Sequence, residues 1–181
     1  MSNAPCQVRR AEAGDAEAVA GLAAGLAQSF AFSREAFGLS YPALLADGDA
    51  CLLLAVEGQE RLGYLLGFQH LTFYANGPVA WVEEVFVRGQ ERGRGVGRAL
   101  MSAFERWAAA RDCALVALAT RRAAPFYRAL GFEESAVYFR KVLVLLIALA
   151  AHCRPGSWPA TRPGNCPPTT TAARRNGHWT P

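Results

Sequence analysis

Arg92-Gly93-Arg94-Gly95-Val96-Gly97-Arg98-Ala99-Leu100 is the stretch that decides the fold. An apolar, strand-like pattern precedes it, Trp81-Val82-Glu83-Glu84-Val85-Phe86-Val87, and Leu100, Phe104 and Trp107 follow at helical spacing. Strand, glycine loop and helix in that order aim several backbone N–H groups at a phosphate. The first N–H groups of a helix lack an internal partner, and the helix dipole puts partial positive charge there. Glycines let the backbone approach an anion closely and adopt turn angles that other residues resist. Arg92, Arg94 and Arg98 are expected to add positive charge at the same place.

Two common phosphate loops are excluded. A P-loop needs Lys and then Ser or Thr after its last glycine, whereas Arg98 and Ala99 follow Gly97. The dinucleotide fingerprint also fails, because its third glycine falls on Arg98 when counted from Gly93 and on Leu100 when counted from Gly95. What remains is Arg92-x-x-Gly95-x-Gly97. Downstream stands Ala123-Ala124-Pro125-Phe126-Tyr127-Arg128-Ala129-Leu130-Gly131-Phe132, a short helix pattern that ends at a glycine turn.

These segments, with Glu83-Glu84-Val85-Phe86-Val87 before them, resemble in order and spacing the motifs of the GNAT superfamily of N-acetyltransferases over about residues 7 to 144. The resemblance implies a mixed α/β fold, a central sheet flanked by helices, and acetyl-CoA as cosubstrate. It implies that Arg92, Gly93, Arg94, Gly95, Val96, Gly97 and Arg98 grip the pyrophosphate, and that Val85, Phe86 and Val87 offer backbone groups to the pantetheine arm. One position departs from the family pattern. Where members often carry Asn six residues before the Phe of Phe-Tyr, this chain has Thr120, which can donate and accept a hydrogen bond to the arm.

Acetyl transfer to an amine asks for a base to take the ammonium proton, donors to polarise the carbonyl, and an acid for the leaving thiolate. Tyr127 holds the family's Phe-Tyr position and is the expected acid. Glu83 is the favoured base and Glu84 the runner-up. Neighbours on a regular strand face opposite sides, so Glu83 is expected beside Val85 and Val87, and Glu84 beside Val82 and Phe86. A carboxylate in an apolar strand is costly to bury unless it has a partner. His70, Phe73, Tyr74 and Trp81 lie near the ends of adjacent strands and are expected to line an acceptor pocket. The acceptor is a small-molecule amine in preference to a peptide amine. A non-catalytic acyl-CoA-binding sensor or scaffold is the alternative.

Composition removes other classes. The net charge of +4 misleads, because residues 1–141 are neutral with 15 basic and 15 acidic side chains. The surplus is Arg154, Arg162, Arg174 and Arg175 in an acid-free tail, so the domain gives no signal for nucleic acid. Five cysteines show neither paired spacing nor a metal pattern, so no metal site is expected. The odd number of cysteines and the lack of a signal peptide argue for reduced thiols and a cytoplasmic setting. One lysine beside eighteen arginines, in an alanine- and glycine-rich chain, matches a GC-rich bacterial genome. Members of the family often form homodimers, although nothing here marks an interface.

Read along the chain, strands are expected at Gln7–Arg10, Cys51–Val56, Leu62–Phe73, Val79–Val87, Leu115–Ala119 and Val137–Val144. Asp15 is expected to cap a helix with Val19, Leu22, Leu26 and Phe30 on its buried face. A second helix, Arg34 to Leu45, is interrupted by Pro42. The catalytic domain is residues 1–144, and residues 145–181 are a Pro/Thr/Arg-rich, irregular C-terminal tail, read as disordered. Its apolar start, Val142–Ala151, is too short to span a bilayer, and no membrane association is expected. The tail is either an appendage or translation of GC-rich DNA in another frame.

Overall fold

The computed structural model describes residues 6–26 and 31–142. The chain divides into two units, Met1–Tyr138 and Phe139–Pro181, and every described helix and strand lies in the first. In chain order these are β1 (Gln7–Arg10), α1 (Ala16–Leu26), α2 (Arg34–Ala46), β2 (Ala50–Glu57), β3 (Glu60–Thr72), β4 (Gly77–Val87), α3 (Val96–Ala109), β5 (Val116–Leu118) and α4 (Ala124–Arg128). Short 3-10 turns precede α1 and α3. The strands form one mixed sheet in the order β1-β2-β3-β4-β5, flanked by helices. The first four run antiparallel, and β5 runs parallel to β4. A parallel neighbour needs a crossover, which α3 provides.

Both faces of the sheet are covered, and β2 reads as an unbroken apolar run for that reason. On one face Leu53, Leu65 and Val82 meet Leu100, Met101 and Phe104 of α3. On the other, Leu52, Leu54, Tyr64 and Leu66 meet Val19 and Leu22 of α1 and Tyr41 of α2. Leu100, Met101 and Phe104 are fully buried, each stabilising the fold by roughly 1.5–3 kcal/mol. That packing fixes α3, and hence the glycine loop at its N-terminus, against the sheet.

Several expectations are corrected. Asp15 does not cap α1 from outside. It sits in the preceding 3-10 turn, accepts from the Glu12 N–H at 2.9 Å, and is buried against Arg9 at 2.6 Å and Arg61 at 3.4 Å. Pro42 does not interrupt α2, because the carbonyl it deprives of a donor belongs to Gly38, and both residues face water. The strand at Leu115–Ala119 shortens to Val116–Leu118 and is half-buried, with a strand partner on one side alone among the described residues. Residues 137–142 carry no strand, and Val137, Tyr138 and Phe139 are exposed. Phe30, Leu143, Val144 and the tail from 145 lie outside the described residues.

Candidate active site

The middle of β4 is irregular. Leu66 pairs with Glu84 and Gly67 with Val82, which leaves Glu83 without an opposite residue, a β-bulge. Gly67 suits this spot because a Cβ there would lie 2.5 Å from the Phe104 ring and 2.8 Å from the Trp81 carbonyl oxygen. The bulge also changes the phase of the strand. Val82 and Val85 both pack toward α3, while Phe86 packs with Tyr64 on the opposite face. Glu84 therefore shares a face with Phe86 but not with Val82, and Glu83 does not share one with Val85 and Val87. Both carboxylates project on the α1/α2 side.

Each carboxylate has a partner there. The Tyr64 hydroxyl donates to Glu84 Oε2 at 2.5 Å, and Glu84 is half-buried. Tyr64 is 1% exposed, and burial together with the neighbouring Glu84 charge pushes its phenol far above the ordinary range, so it stays protonated and donates to Glu84. Glu83 is exposed and accepts from the Trp81 indole N–H at 3.1 Å. Neither carboxylate is in an ion pair among the described residues.

Pairing of β5 with β4 stops at Val82–Leu118. From Glu83 to Val87 the backbone of β4 has a strand partner on the β3 side alone. Alternation along the strand turns the backbone groups of Val85 and Val87 to that open side, beside the glycine loop, and those of Phe86 toward β3.

In that loop Gly93 and Gly95 adopt φ of 78° and 84°, the left-handed region that glycine enters without strain. Gly95 is the N-cap of α3, and no side chain caps the helix. The Ala99 N–H is the first to bond within the helix, to the Gly95 carbonyl at 3.0 Å. The N–H groups of Val96, Gly97 and Arg98 precede it and have no acceptor within the helix. This set of open donors at a positive helix end fits a pyrophosphate. Around it, Arg92 Nε donates to the Val87 carbonyl at 3.3 Å and Arg98 to the Ala129 carbonyl at 3.3 Å. Arg94 departs from expectation. Its guanidinium is held by Glu57 at 2.8 Å and by Glu91, so its charge is neutralised within the protein.

The other wall is α4. Phe126 leans on the first turn of α3, where a Cβ at Gly97 would lie 3.1 Å from the ring. Tyr127 stacks edge-on against Phe126 and Phe132 and packs in the cluster that contains Val85, Val87 and Val96. Burial raises its pKa, which keeps the phenol protonated, as a proton donor must be. Thr120 is exposed and accepts from the Ala123 N–H at 3.1 Å, so its hydroxyl proton remains available to a ligand.

Of the four aromatic and histidine residues expected at an acceptor pocket, the structure brings Trp81 to the glutamates. Phe73 and Tyr74 are exposed in the turn after β3. Phe73 lies seven residues beyond Leu66, the partner of Glu84, or about 23 Å along an extended strand. His70 lines a separate cleft with Asp49, Gln69 and Arg111 at that end of the sheet. Tyr64 and Glu57 are the site neighbours that sequence reasoning missed. Tyr64 reads as an ordinary core aromatic and Glu57 as a turn residue. No group of three His, Cys, Asp or Glu residues among the described residues is placed to hold a metal ion.

Residues 22–132 match the Acetyltransferase (GNAT) family, and the chain belongs to that family. An aminoglycoside N(6')-acetyltransferase type 1 from Stenotrophomonas maltophilia is 36% identical over 112 residues, covering 55% of this chain and 71% of that protein. An integron cassette protein from the mobile metagenome of Cole Harbour Salt Marsh superposes with a TM-score of 0.70 at 27% identity, covering 76% of this chain and 91% of that one. The fold is shared with AAC(6')-Iy in complex with the bisubstrate analogue CoA-S-monomethyl-acetylneamine, at a TM-score of 0.66 and 23% identity, covering 77% of this chain and 100% of that one. The protein is an acetyl-CoA-dependent N-acetyltransferase that moves an acetyl group to a primary amine.

Proposed function

We propose that the acceptor is a small polycationic amine of the aminoglycoside kind, acetylated by direct transfer without a covalent enzyme intermediate. The observation that carries this reading is the β4 bulge, which sets Glu83 and Glu84 on one face with no ion-pair partner among the described residues. Cationic amines are drawn to two such carboxylates. The 36% identity to an aminoglycoside acetyltransferase points the same way.

In this reading the glycine loop and the free N–H groups of α3 bind the pyrophosphate, and the open edge of β4 at Val85–Val87 guides the arm. Thr120 donates to the arm. Glu83, exposed at the bulge, takes the ammonium proton directly or through one water. The neutral nitrogen attacks the thioester carbonyl, the C–N bond forms and the C–S bond breaks. A β4 backbone N–H polarises the carbonyl oxygen, Tyr127 gives its proton to the departing sulfur, and the second proton shed by the nitrogen as the amide forms restores the phenol through water. Glu84, fixed by Tyr64, binds the cationic acceptor beside the reacting nitrogen.

We assign the chemistry to residues 1–144 and none of it to residues 145–181. The three free thiols among the described residues, Cys6, Cys51 and Cys113, suit a reducing cytoplasm.

The test is thiol release from acetyl-CoA with three acceptors side by side: an aminoglycoside with a free 6′-amine, a linear polyamine and a peptide with a free N-terminus. Turnover with the aminoglycoside at kcat/KM at least tenfold above the other two supports the assignment. Preference for the peptide overturns it. In the same assay Glu83→Gln lowers kcat, whereas Glu84→Gln raises the KM for the amine.

A further inference from the structure

We propose that Arg94 serves acetyl-CoA as a positioning residue, a strut that holds the glycine loop in shape by bridging Glu57 and Glu91 instead of contacting a phosphate. This rests on the reading of residues 92–98 as the pyrophosphate cradle.

Arg94 stands between Gly93 and Gly95, both in the left-handed region. Two glycines make the loop permissive, so the chain has little local preference for the cradle shape and needs an outside tether. Arg94 Nη2 donates to Glu57 Oε2 at 2.8 Å, and Nη1 donates to Glu91. Glu57 is the last residue of β2, and Glu91 ends the 3-10 turn Gly89–Glu91 that leaves β4. The guanidinium therefore ties the loop to the sheet and to its own entry turn at once. Both carboxylates are more covered than the arginine, at 20% and 15% against 47% side-chain exposure.

Charge argues against a direct phosphate role. One guanidinium between two carboxylates carries a local net charge of about −1 at neutral pH. Arg92 and Arg98 differ, since each donates to a backbone carbonyl and neither is in an ion pair among the described residues. They, and not Arg94, keep a full positive charge for the anion.

A strut and a phosphate ligand predict opposite signs for one substitution. Glu57→Gln removes a negative charge near the cradle, so simple electrostatics makes CoA bind more tightly. Loss of the tether makes it bind more weakly. The experiment is calorimetric titration of the full chain with CoA for the parent, Glu57→Gln, Arg94→Gln, the double variant and Glu60→Gln. Glu60 is the control, because it removes an equal charge from the same hairpin but pairs with Arg88 at 3.2 Å and not with the loop.

The strut predicts CoA weakened about two- to fivefold by Glu57→Gln and by Arg94→Gln, the range of an exposed ion pair. The double variant is no worse than the weaker single variant, and Glu60→Gln binds as the parent does. Amide exchange at residues 93–98 without ligand rises in both single variants while the melting temperature holds, which separates a local effect from unfolding. Unchanged or tighter binding by Glu57→Gln, with Arg94→Gln still weakened, overturns the strut. Parent and Gly95→Glu binding CoA equally would instead remove the cradle reading, and the strut with it.

Discussion

Gly95→Ala tests the cradle at the smallest possible scale. Gly95 has φ 84° and ψ 0°, and a Cβ built there meets nothing within 4 Å. The methyl group therefore costs no packing, and the whole penalty is backbone strain, roughly 1–2 kcal/mol for a left-handed L-residue. The variant can respond in two ways. If the free loop relaxes to negative φ, the folded protein keeps its stability and CoA must restore the strained shape on binding. Affinity then falls about five- to thirtyfold, the equivalent of that energy. If the loop stays strained, affinity is unchanged and the protein loses the same energy in stability. The two losses together therefore account for the strain. Calorimetric titration with CoA and urea unfolding, run on the same preparations, measure both parts. A variant with parental affinity and parental stability would refute the claim that binding uses the left-handed turn at Gly95.

Three further outcomes are expected. Tyr127→Phe keeps the edge-on contacts with Phe126 and Phe132, so it should leave CoA affinity and melting temperature alone while lowering kcat about a hundredfold. An unchanged kcat would remove Tyr127 as the acid. Asp15, held from an ordinary 3.8 down to about 2 chiefly by its hydrogen bond to Arg9, stabilises the fold by about 2.5 kcal/mol. Because the folded value is the lower one, that contribution is complete above the ordinary value and fades as pH falls through 3.8 toward about 2. Urea midpoints of the parent should drop over that window, whereas those of Asp15→Asn should be flatter. Equal slopes would refute it. Gly63→Ala places a Cβ 2.4 Å from the Phe86 carbonyl oxygen, a backbone atom that cannot step aside, and should destabilise by about 1–3 kcal/mol in a thermal melt.

Much of the molecule could be read from local chemistry. The glycine loop, the α3 stripe of Leu100 and Phe104, and the Leu-rich β2 all lie where periodicity and turn residues place them. What escaped depends on partners distant in sequence. The bulge at Glu83 arises from pairing with Leu66 and Gly67, and strict alternation along β4 set its two glutamates on opposite faces. Arg94 reads as an unpaired charge in the loop until Glu57, 37 residues earlier, comes beside it. Asp15 reads as a helix cap until Arg61 arrives from β3, 46 residues later. Pro42 reads as a breaker because nothing in the string says that the Gly38 carbonyl faces water.

The two faces of the sheet have separate cores with no buried residue in common. On the α3 side lie the glycine loop, α4 and Tyr127. On the α1/α2 side lie Trp81, Glu83, Glu84 and Tyr64. Substitutions at distant sites without shared partners combine nearly additively. Changes on α1 and α2 that reshape the amine side therefore reach the CoA side chiefly through β4, where Phe86 packs on one face and its neighbours Val85 and Val87 on the other. A lineage, or a directed selection, can trade one acceptor for another without re-evolving its grip on the acyl donor.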